Sequence, residues 1–386
     1  MKENKTKPDI RFEAFTEAWE QRKLGDVANR FDNLRIPVAS NLRVSGLTPY
    51  YGANGIQDYV EGYTHDGEFV LIAEDGANDL KNYPVYYVNG RIWVNNHAHV
   101  LQGIEKKCHN SFLAYNICQL DIEPFLVGGG RAKLNADVMM KLYIYLPKFD
   151  EQTKIGQYFL QLDNLITLHQ RECDQLKELK KSMLKKLFPR NGSNIPEVRF
   201  AGFTDAWEQR KLDEVAKYRN GKAHENNITR DGKYIVVNSK FVSTNGEVKK
   251  FSNKQIEPLY KNEIAFVLSD VPNGRAIART FLVEENDKYT LNQRIAGITP
   301  AENTNSYFLH ILMNRNKYFL KFDDGAKQTN LSVKDVMNFE EKYPCYSEQK
   351  KIGLYFEQLD SLITLHQREL EILKNLKKTC LKRMFI

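Results

Sequence analysis

The chain has 386 residues, a net charge of +7, 42% hydrophobic residues and 11% aromatic residues. That composition supports folded cores and argues against wholesale disorder, and the length predicts two or three domains. No apolar run approaches a membrane span, and residues 1–9 are polar rather than signal-like, so no membrane partner is expected. Five scattered cysteines without a CxxC pair favour reduced thiols and a cytoplasmic chain.

The first element along the chain is a short segment that occurs twice. Residues 11–24 return as residues 199–212, and both copies end in Trp-Glu-Gln-Arg-Lys-Leu, with Trp19 and Trp207 at matching positions. The first copy is followed by β-rich runs such as Phe-Val-Leu-Ile at 69–72, which turn residues separate from one another. This pattern predicts a mixed α+β globule with many short strands.

A second repeat is longer and ends each half of the chain. Residues 150–188 return at 347–385 without a gap, and the octet Leu-Ile-Thr-Leu-His-Gln-Arg-Glu at 165–172 recurs unchanged at 362–369. Apolar residues spaced four and three apart predict two long helices, and each copy is the obvious coiled-coil mate of the other. The spacing continues to Leu179 and Leu376. The predicted seam consists of Ile155, Phe159, Leu162, Ile166, His169 and Leu176 in the first copy and Ile352, Phe356, Leu359, Ile363, His366 and Leu373 in the second.

These repeats predict four regions, in which constant and variable segments alternate. Each variable region opens with the short repeat, and a linker at 190–194 separates the halves. Identical helices should meet the same partner twice, whereas the two unlike variable domains should meet different targets. The positive charge, which mildly favours a polyanionic partner, lies mostly on the helices, with eight basic and five acidic residues in each. The predicted regions are residues 1–150, 151–189, 190–347 and 348–386.

Motifs for chemistry on this chain are missing from the sequence. It has no phosphate-binding loop and no Asn-Pro-Pro-Tyr motif of the kind that amino-methyltransferases use. His97 and His99 alternate along a predicted strand, but with only Cys108 and His109 nearby they are weak zinc candidates. The two seam histidines are expected to be packed polar residues rather than ligands. We therefore expect neither a catalytic site nor a metal.

Polar residues in predicted loops are better candidates for a function, because Asn and Gln bind adenine bidentately and Arg and Lys bind guanine. The ordinary alternative for each residue is a turn or a helix cap. The offset of 197 between Ile155 and Ile352 (352 − 155) also aligns Lys133 with Asn330. The predicted DNA contacts are Tyr51, Asn54, Asn95, Asn96, His97, Arg131 and Lys133 in the first variable domain, and Asn273, Arg275, Asn292, Gln293, Arg294, Lys327, Gln328, Thr329, Asn330 and Ser332 in the second.

The repeats and loops together resemble the specificity subunit of a type I restriction–modification system. The resemblance covers essentially the whole chain and is carried by the openers at Trp19 and Trp207, the Glu-Gln-x-Lys-Ile-Gly starts at Glu151 and Glu348, and the octets. It implies an α+β fold in which two globular β-rich target-recognition domains are joined by two long antiparallel coiled-coil helices with a pseudo-twofold repeat.

The resemblance also implies a function for the whole assembly. Each domain would read one half of a bipartite, asymmetric target in double-stranded DNA. Two modification subunits would methylate adenine with S-adenosylmethionine, and restriction subunits would use ATP and Mg to translocate and cleave. This chain would hold no cofactor and would not itself be an enzyme.

Two other classes of function remain open from the residues alone. A coiled-coil adaptor for proteins would use the same helices without reading DNA. A stand-alone nuclease or metal hydrolase would need catalytic residues, which the motifs above do not supply.

Overall fold

The computed structural model divides the chain into two units. Unit 1 consists of residues 1–172 and 366–386, and unit 2 of residues 173–365. Across the described part of the chain, no helix combines the length and apolar character needed to cross a membrane. The described residues are 6–129, 132–190, 192–272 and 274–386.

Unit 1 is built on a six-stranded sheet with short helices beside it. Its strands are β1 (Glu20–Lys23), β2 (Ala28–Arg30), β3 (Ser45–Gly52), β4 (Gly55–Val60), β5 (His65–Ala73), β6 (Val85–Val94), β7 (Ala98–Gly103) and β8 (Tyr143–Leu146). The sheet has the order β2-β7-β5-β6-β3-β4 and is antiparallel except where β3 meets β6, while β1 pairs separately with β8. The helices of this half are α1 (Leu24–Val27), α2 (Asn110–Ile117), α3 (Ala136–Met139) and the long α4 (Phe149–Lys186).

Strand β5 shows why this half needs long apolar runs. Val70 and Ile72 lie in the core that the helices cover, whereas Phe69 and Leu71 lie in a second apolar cluster on the opposite face. Both faces of the strand are covered, so apolar residues follow one another without alternation. The predicted strand at 69–72 therefore lies in the centre of the unit.

Unit 2 repeats the layout with more and shorter strands. They are β9 (Glu208–Lys211), β10 (Ala216–Asn220), β11 (Ile228–Thr229), β12 (Tyr234–Val237), β13 (Phe251–Ser252), β14 (Pro258–Leu259), β15 (Ile264–Val267), β16 (Ser269–Asp270), β17 (Thr280–Leu282), β18 (Tyr289–Leu291), β19 (Ile295–Pro300), β20 (Thr329–Asn330) and β21 (Glu340–Tyr343). The helices are α5 (Leu212–Val215), α6 (Ser239–Ser243), α7 (Ser306–Met313), α8 (Lys317–Leu320), α9 (Val333–Met337) and the long α10 (Tyr346–Met384).

The sheets of unit 2 place strand β15 where unit 1 has β5. One sheet has the order β10-β19-β15-β17 and another the order β11-β13-β12-β18-β14, while β21 pairs with β9 as β8 pairs with β1. Ile264 and Phe266 face the core beneath the helices, and Ala265 and Val267 face a separate cluster. A doubly covered central strand is thus common to both units.

The two long helices lie antiparallel within each unit. In unit 1, Lys377 Nζ is 2.5 Å from Asp163 Oδ1, and the Tyr158 hydroxyl is 3.5 Å from Cys380 Sγ. In unit 2, Lys180 Nζ is 2.5 Å from Asp360 Oδ1. Because higher numbers on α10 meet lower numbers on α4, the helices run in opposite directions. The expected antiparallel direction of the two long helices is confirmed within each unit.

The apolar stripe of the helices has more than one partner. Ile155, Phe159 and Leu162 pack in the core of unit 1, and their counterparts Ile352, Phe356 and Leu359 pack in the core of unit 2. Ile166 is half-buried and Ile363 is buried, while Leu176 and Leu373 pack at the margins of the two cores.

The extension of the seam to Leu179 and Leu376 is wrong, since these side chains are 43% and 41% exposed. Each follows the preceding seam leucine after three residues, where the alternation of four and three requires four, so it lies off the stripe. The next residues of the stripe, Met183 and Cys380, pack in the cores again.

Each long helix is joined to its unit by the same set of residues, which we name the anchor. In unit 1 the anchor consists of Arg11, Glu151, Gln152 and Gly156. Arg11 donates two hydrogen bonds to the Glu151 carboxylate, at 2.8 and 2.6 Å, and this carboxylate is almost fully buried. Gln152 accepts the backbone N–H of His109 just before α2 and donates to two backbone carbonyls. The repeated Glu-Gln start therefore serves internal contacts.

The glycine of the anchor lets helix α2 approach α4 closely. A Cβ built on Gly156 would lie 2.0 Å from Ser111 Oγ and 2.9 Å from the Phe112 nitrogen. In unit 2 the anchor consists of Arg199, Glu348, Gln349 and Gly353, which repeat these contacts around Asn305 at the start of α7.

The repeated tryptophans close each unit beside its anchor, where the last residues of the other long repeat also pack. Trp19 is buried with edge-on contacts to Phe112 and Phe385, and Trp207 is buried against Phe308 and Phe188. Phe188 and Phe385 are matched by the offset of 197 (385 − 188). The opener and the last residues of the long repeat thus pack in the same place in both units.

Candidate nucleic-acid interface

Several predicted contacts of unit 1 meet where β3 and β6 end, and we name them the unit 1 loop cluster: Tyr51, Asn54, Asn95, His97 and Lys133. The backbone N–H of Asn95 donates to the Tyr51 carbonyl at 3.0 Å. The Asn95 side chain is buried, accepts from the His97 N–H and donates weakly to Gln57 at 3.4 Å. Asn95 therefore shapes the turn, and the adjacent Asn96 is the exposed residue of this turn.

The loop after β5 is held against this turn by side chains. Asn54 donates to the carbonyl of Gly76 and accepts the N–H of Asn78, each at 2.9 Å. His97 Nδ1 lies 2.7 Å from a carboxylate oxygen of Asp75. These bonds tie three loops into one surface, so the predicted residues are brought together although they are distant in sequence.

Lys133 joins the cluster through an ion-pair network. Its Nζ lies 2.8 Å from Glu74, which also accepts from Arg35 at 2.6 Å. Burial opposes ionisation of Glu74, but the hydrogen bonds from Lys133 and Arg35 outweigh it and leave its pKa below the ordinary value. The hydrogen bond to Glu74 raises the pKa of Lys133. Lys133 stays a cation that is 45% exposed, which suits a phosphate or a guanine.

The histidines suggested as weak zinc ligands do not share a site. His99 Nδ1 lies 2.7 Å from Asp32 and its Nε2 lies 2.8 Å from the Leu134 carbonyl, whereas His97 faces Asp75. Asp32 and Glu74 approach His99 closely enough for a common ion. Arg35 contacts both carboxylates and Lys133 contacts Glu74, so protein cations already balance their charge.

The second set, the unit 2 loop cluster, consists of Arg275, Arg294, Gln328, Thr329 and Asn330. Gln328 donates to Ser269 Oγ at 2.7 Å, and Thr329 donates to Asp323 at 3.1 Å from a buried position. Strand β20, which holds Thr329 and Asn330, pairs with β16. Asn330 projects from this short ladder as an exposed amide.

Asp270 shapes the neighbouring loop that carries Arg275. Its carboxylate accepts the backbone N–H groups of Val271, Ala276 and Ile277 at 2.5 to 3.0 Å. A Cβ on Gly274 would lie 2.1 Å from that carboxylate, so only glycine fits this close approach. The loop presents Arg275 to solvent.

The turn between β18 and β19 completes this surface. The Leu268 N–H donates to the Arg294 carbonyl, and the Leu268 carbonyl accepts the Leu331 N–H at 2.8 Å, so both loops flank one strand end. Arg294 has φ of 66°, a region that residues other than glycine seldom adopt. Asn292 is half-buried, and Gln293 is exposed and donates to Glu225 at 2.6 Å.

The remaining predicted contacts have other settings. Ser332 caps helix α9, accepting the Asp335 N–H at 3.1 Å, which is the ordinary role for a serine there. Lys327 is exposed on the loop before β20. Arg131 and Asn273 lie outside the described residues.

Two polar residues beside the clusters were not predicted. Gln57 lies against Asn95, and Lys222 forms a backbone bridge with Asn292 while its side chain is 61% exposed. The alternation of side chains along β4 could have predicted Gln57, because it places this side chain on the face that lies near the end of β6. No local pattern marks Lys222, because only the parallel pairing with Asn292 brings it to this surface.

The fold and the two loop clusters define a class: a duplicated two-unit protein, with one anchor scheme and two unlike sets of polar loop residues. A model of the "Type I restriction modification DNA specificity domain" matches residues 16–178 and 204–375. The chain belongs to this family and is a type I specificity subunit. Membership gives no support to a protein adaptor or a stand-alone nuclease.

Individual relatives agree with this assignment. A putative type I specificity subunit of Haemophilus influenzae is 48% identical over 155 residues, an alignment that spans 40% of each chain. The MjaVIII specificity subunit of Methanocaldococcus jannaschii is 21% identical over 94% of this chain and 91% of its own. The crystal structure of the S subunit of a type I restriction-modification system from M. genitalium superposes with a TM-score of 0.75 over 98% of this chain and 99% of that one, at 14% identity.

Proposed function

We propose that unit 1 and unit 2 each read one half of a bipartite, asymmetric target in double-stranded DNA. The observation that carries this proposal is one matched position at which the units differ. Lys133 and Asn330 both precede a buried leucine and a short helix, yet one is a cation and the other an amide. Lysine suits guanine or phosphate and asparagine suits adenine, so equal scaffolds offer unequal chemistry.

The test compares single substitutions in the two units. In a complex with modification subunits, Asn330→Ala should lower affinity for the cognate site by about 10-fold to 100-fold, as the loss of one base contact does. Discrimination should relax only in the half read by unit 2. Lys133→Ala should affect only the other half, or weaken all sequences with a smaller salt slope if it binds phosphate. A change in both halves from either substitution would refute one half-site per unit.

The same chain is proposed to dock two copies of a modification subunit. Leu165 and Leu168 of unit 1 are 43% and 50% exposed, and Leu362 and Leu365 of unit 2 have the same exposures. Equal apolar residues with equal exposure present equal surfaces, which favours two copies of one partner.

Partner number tests this part of the proposal. Leu168→Glu and Leu365→Glu should each remove one modification subunit from the complex, as measured by native mass spectrometry, and the double variant should remove both. Ile372 is the matched control, because it is 65% exposed on the same helix but its counterpart is Gln175. Loss of both subunits from one substitution, or loss with Ile372→Glu, would contradict the two-copy arrangement.

The chemistry of the system is proposed to lie on the partners. S-adenosylmethionine would bind the modification subunits, ATP and Mg would bind restriction subunits, and this chain would supply neither cofactor nor catalytic group. Its place would be the cytoplasm, in keeping with five free thiols. Purified alone, the chain should neither methylate nor cleave DNA, and adenine methylation should appear on adding modification subunits and S-adenosylmethionine.

A further inference from the structure

Two histidines face each other in unit 1, in the repeated octets of the long helices. His169 on α4 and His366 on α10 place their Nδ1 atoms 3.1 Å apart. Each side chain is 19% exposed. Antiparallel pairing of two copies of one sequence brings a residue and its own duplicate together at one point, and here that residue is histidine.

A carboxylate from the opposite helix approaches each of these nitrogen atoms. Glu369 Oε2 is 3.2 Å from His169 Nδ1, and Glu172 Oε2 is 3.2 Å from His366 Nδ1. Within each helix the histidine and glutamate are three residues apart, so they share a face, with Nδ1-to-Oε2 distances of 3.7 and 3.8 Å. Two imidazoles and two carboxylates therefore lie side by side, and the ligand atoms of His169, His366 and Glu369 all lie within 4.8 Å of one another.

Hydrogen bonds satisfy only part of this arrangement at a time. An Nδ1–H of one histidine can donate to the Nδ1 of the other at 3.1 Å, or each Nδ1–H can donate to the glutamate of the opposite helix at 3.2 Å. One Nδ1 carries a single proton, so it cannot serve the facing histidine and the glutamate together. A cation held by these groups would instead use a lone pair from each of them.

The spacing of three of these atoms fits one face of a tetrahedral site. Metal–ligand distances of about 2.1 Å place tetrahedral ligand atoms about 3.4 Å apart. The distances among the ligand atoms of His169, His366 and Glu369 are 3.1, 3.2 and 3.8 Å, and these three residues can offer ligands to one ion. Glu172 lies outside this group of three, so its side chain would turn inward to become the fourth ligand. Two carboxylates balance the charge of a divalent ion, and the glutamates are 39% and 41% exposed, which leaves a path from solvent.

We propose that His169, Glu172, His366 and Glu369 form a structural binding site for one divalent transition-metal ion, with zinc as the best match. Imidazole ligands favour zinc and its neighbours over magnesium, and a four-protein-ligand set is typical of structural rather than catalytic zinc. The ion would clamp α4 to α10 within unit 1. This departs from the expectation that the seam histidines are packed polar residues and that the chain holds no metal, and it does not depend on the proposed DNA target.

The test uses the full chain, stripped with a chelator and titrated with Co²⁺ and then Zn²⁺. One Co²⁺ per chain should bind with the intense visible absorption of tetrahedral cobalt, and Zn²⁺ should abolish that absorption while excess Mg²⁺ does not. His169→Gln with His366→Gln should weaken Zn²⁺ binding by more than about 100-fold. That loss exceeds the one expected when the changed residue only forms a hydrogen bond with a metal ligand. Weak octahedral absorption, or binding unchanged in this variant, would overturn the site.

Matched controls separate the site from adventitious binding and from misfolding. Glu371→Gln removes an exposed carboxylate from the same helix, and His97→Gln removes a histidine elsewhere in unit 1. Both should leave cobalt absorption and zinc affinity unchanged. Glu172→Gln preserves shape at a half-exposed position, so its metal-free thermal unfolding should match that of the parent, while zinc should raise its unfolding temperature less than the parent's. Equal rises in the two proteins would also overturn the proposal.

Discussion

The anchors and the loop clusters of the two units follow opposite rules. The anchors are the same in kind: an arginine–glutamate pair, a glutamine beside a helix start and a glycine at a close approach. The loop clusters occupy comparable strand ends but share few side chains. The two units therefore have the same residues where an unpaired buried charge or a steric clash would be costly, and different residues where side chains face solvent.

Removal of an aromatic ring from either core should have the largest effect on stability and tests whether the two cores are equivalent. Phe159 and Phe356 are both fully buried, so Phe159→Ala and Phe356→Ala should each lower the free energy of unfolding by about 4 kcal/mol. Hydrogen exchange with mass spectrometry should localise the loss to unit 1 for the first variant and to unit 2 for the second. Equal loss in both units from either variant would mean that the cores are not independent.

The buried anchor pair should show the next largest effect. Glu151→Ala and Glu348→Ala each leave a nearly buried arginine without its carboxylate, which should cost about 3 kcal/mol. Arg22→Ala, at an exposed pair with Glu20, should cost less than about 1 kcal/mol. Urea titration measures both values, and a similar small effect in all three variants would show that the anchor is dispensable.

A desolvated histidine distinguishes the units by pH. The side chain of His310 in α7 is half-buried with its Nδ1 atom buried, and desolvation lowers its pKa from 6.5 to about 4, whereas Ala114 stands at the corresponding place in α2. The unfolded chain therefore binds the proton first, so the contribution is complete above pH 6.5 and declines as pH falls towards 4. Unit 2 should lose about 2 kcal/mol between about pH 7 and pH 5.

Hydrogen exchange in unit 2 measures this loss, and His310→Leu is the control. The variant lacks the titrating group, so its stability should change less over the same interval, whatever the substitution costs at neutral pH. A parent and variant with the same pH dependence would assign the effect to other groups.

Helix capping after the loop clusters gives the smallest contrast. The Ser332 hydroxyl caps α9, so Ser332→Ala should cost about 1 kcal/mol. Asn135 stands at the same place before α3 but makes no side-chain cap bond, so Asn135→Ala should cost no more than a few tenths of a kcal/mol. Thermal unfolding measures both, and equal costs would show that the caps do not differ in use.

Periodicity and repetition in the sequence were enough to predict the helices and the duplication. They were not enough to tell a helix–helix seam from a globular core, because Phe159 shows the same spacing in either setting. Register is also hidden: that His169 meets His366 and that Asp163 meets Lys377 follows from antiparallel pairing, which no local pattern specifies.

The loop clusters were predicted in outline because amides and cations in turns are recognisable. The orientations of the individual side chains were not predicted. Asn95 and Thr329 point inward because they form hydrogen bonds with Gln57 and Asp323, and the sequence does not show these contacts. Likewise, the cap made by Ser332 competes with any outward role, and local composition does not show which use wins.

Asp163 and Asp360 each accept a phenolic hydroxyl at 2.7 Å, from Tyr115 in α2 and Tyr307 in α7. The two tyrosines stand at different positions along their helices, since Phe112 matches Phe308 while Tyr115 lies three residues after the first and Tyr307 one residue before the second. The duplicated aspartate thus accepts a hydroxyl group from tyrosines at different positions of the facing helix. Genetic exchange between relatives can then replace a whole globular domain, provided that the new domain places one hydroxyl group within reach of this aspartate.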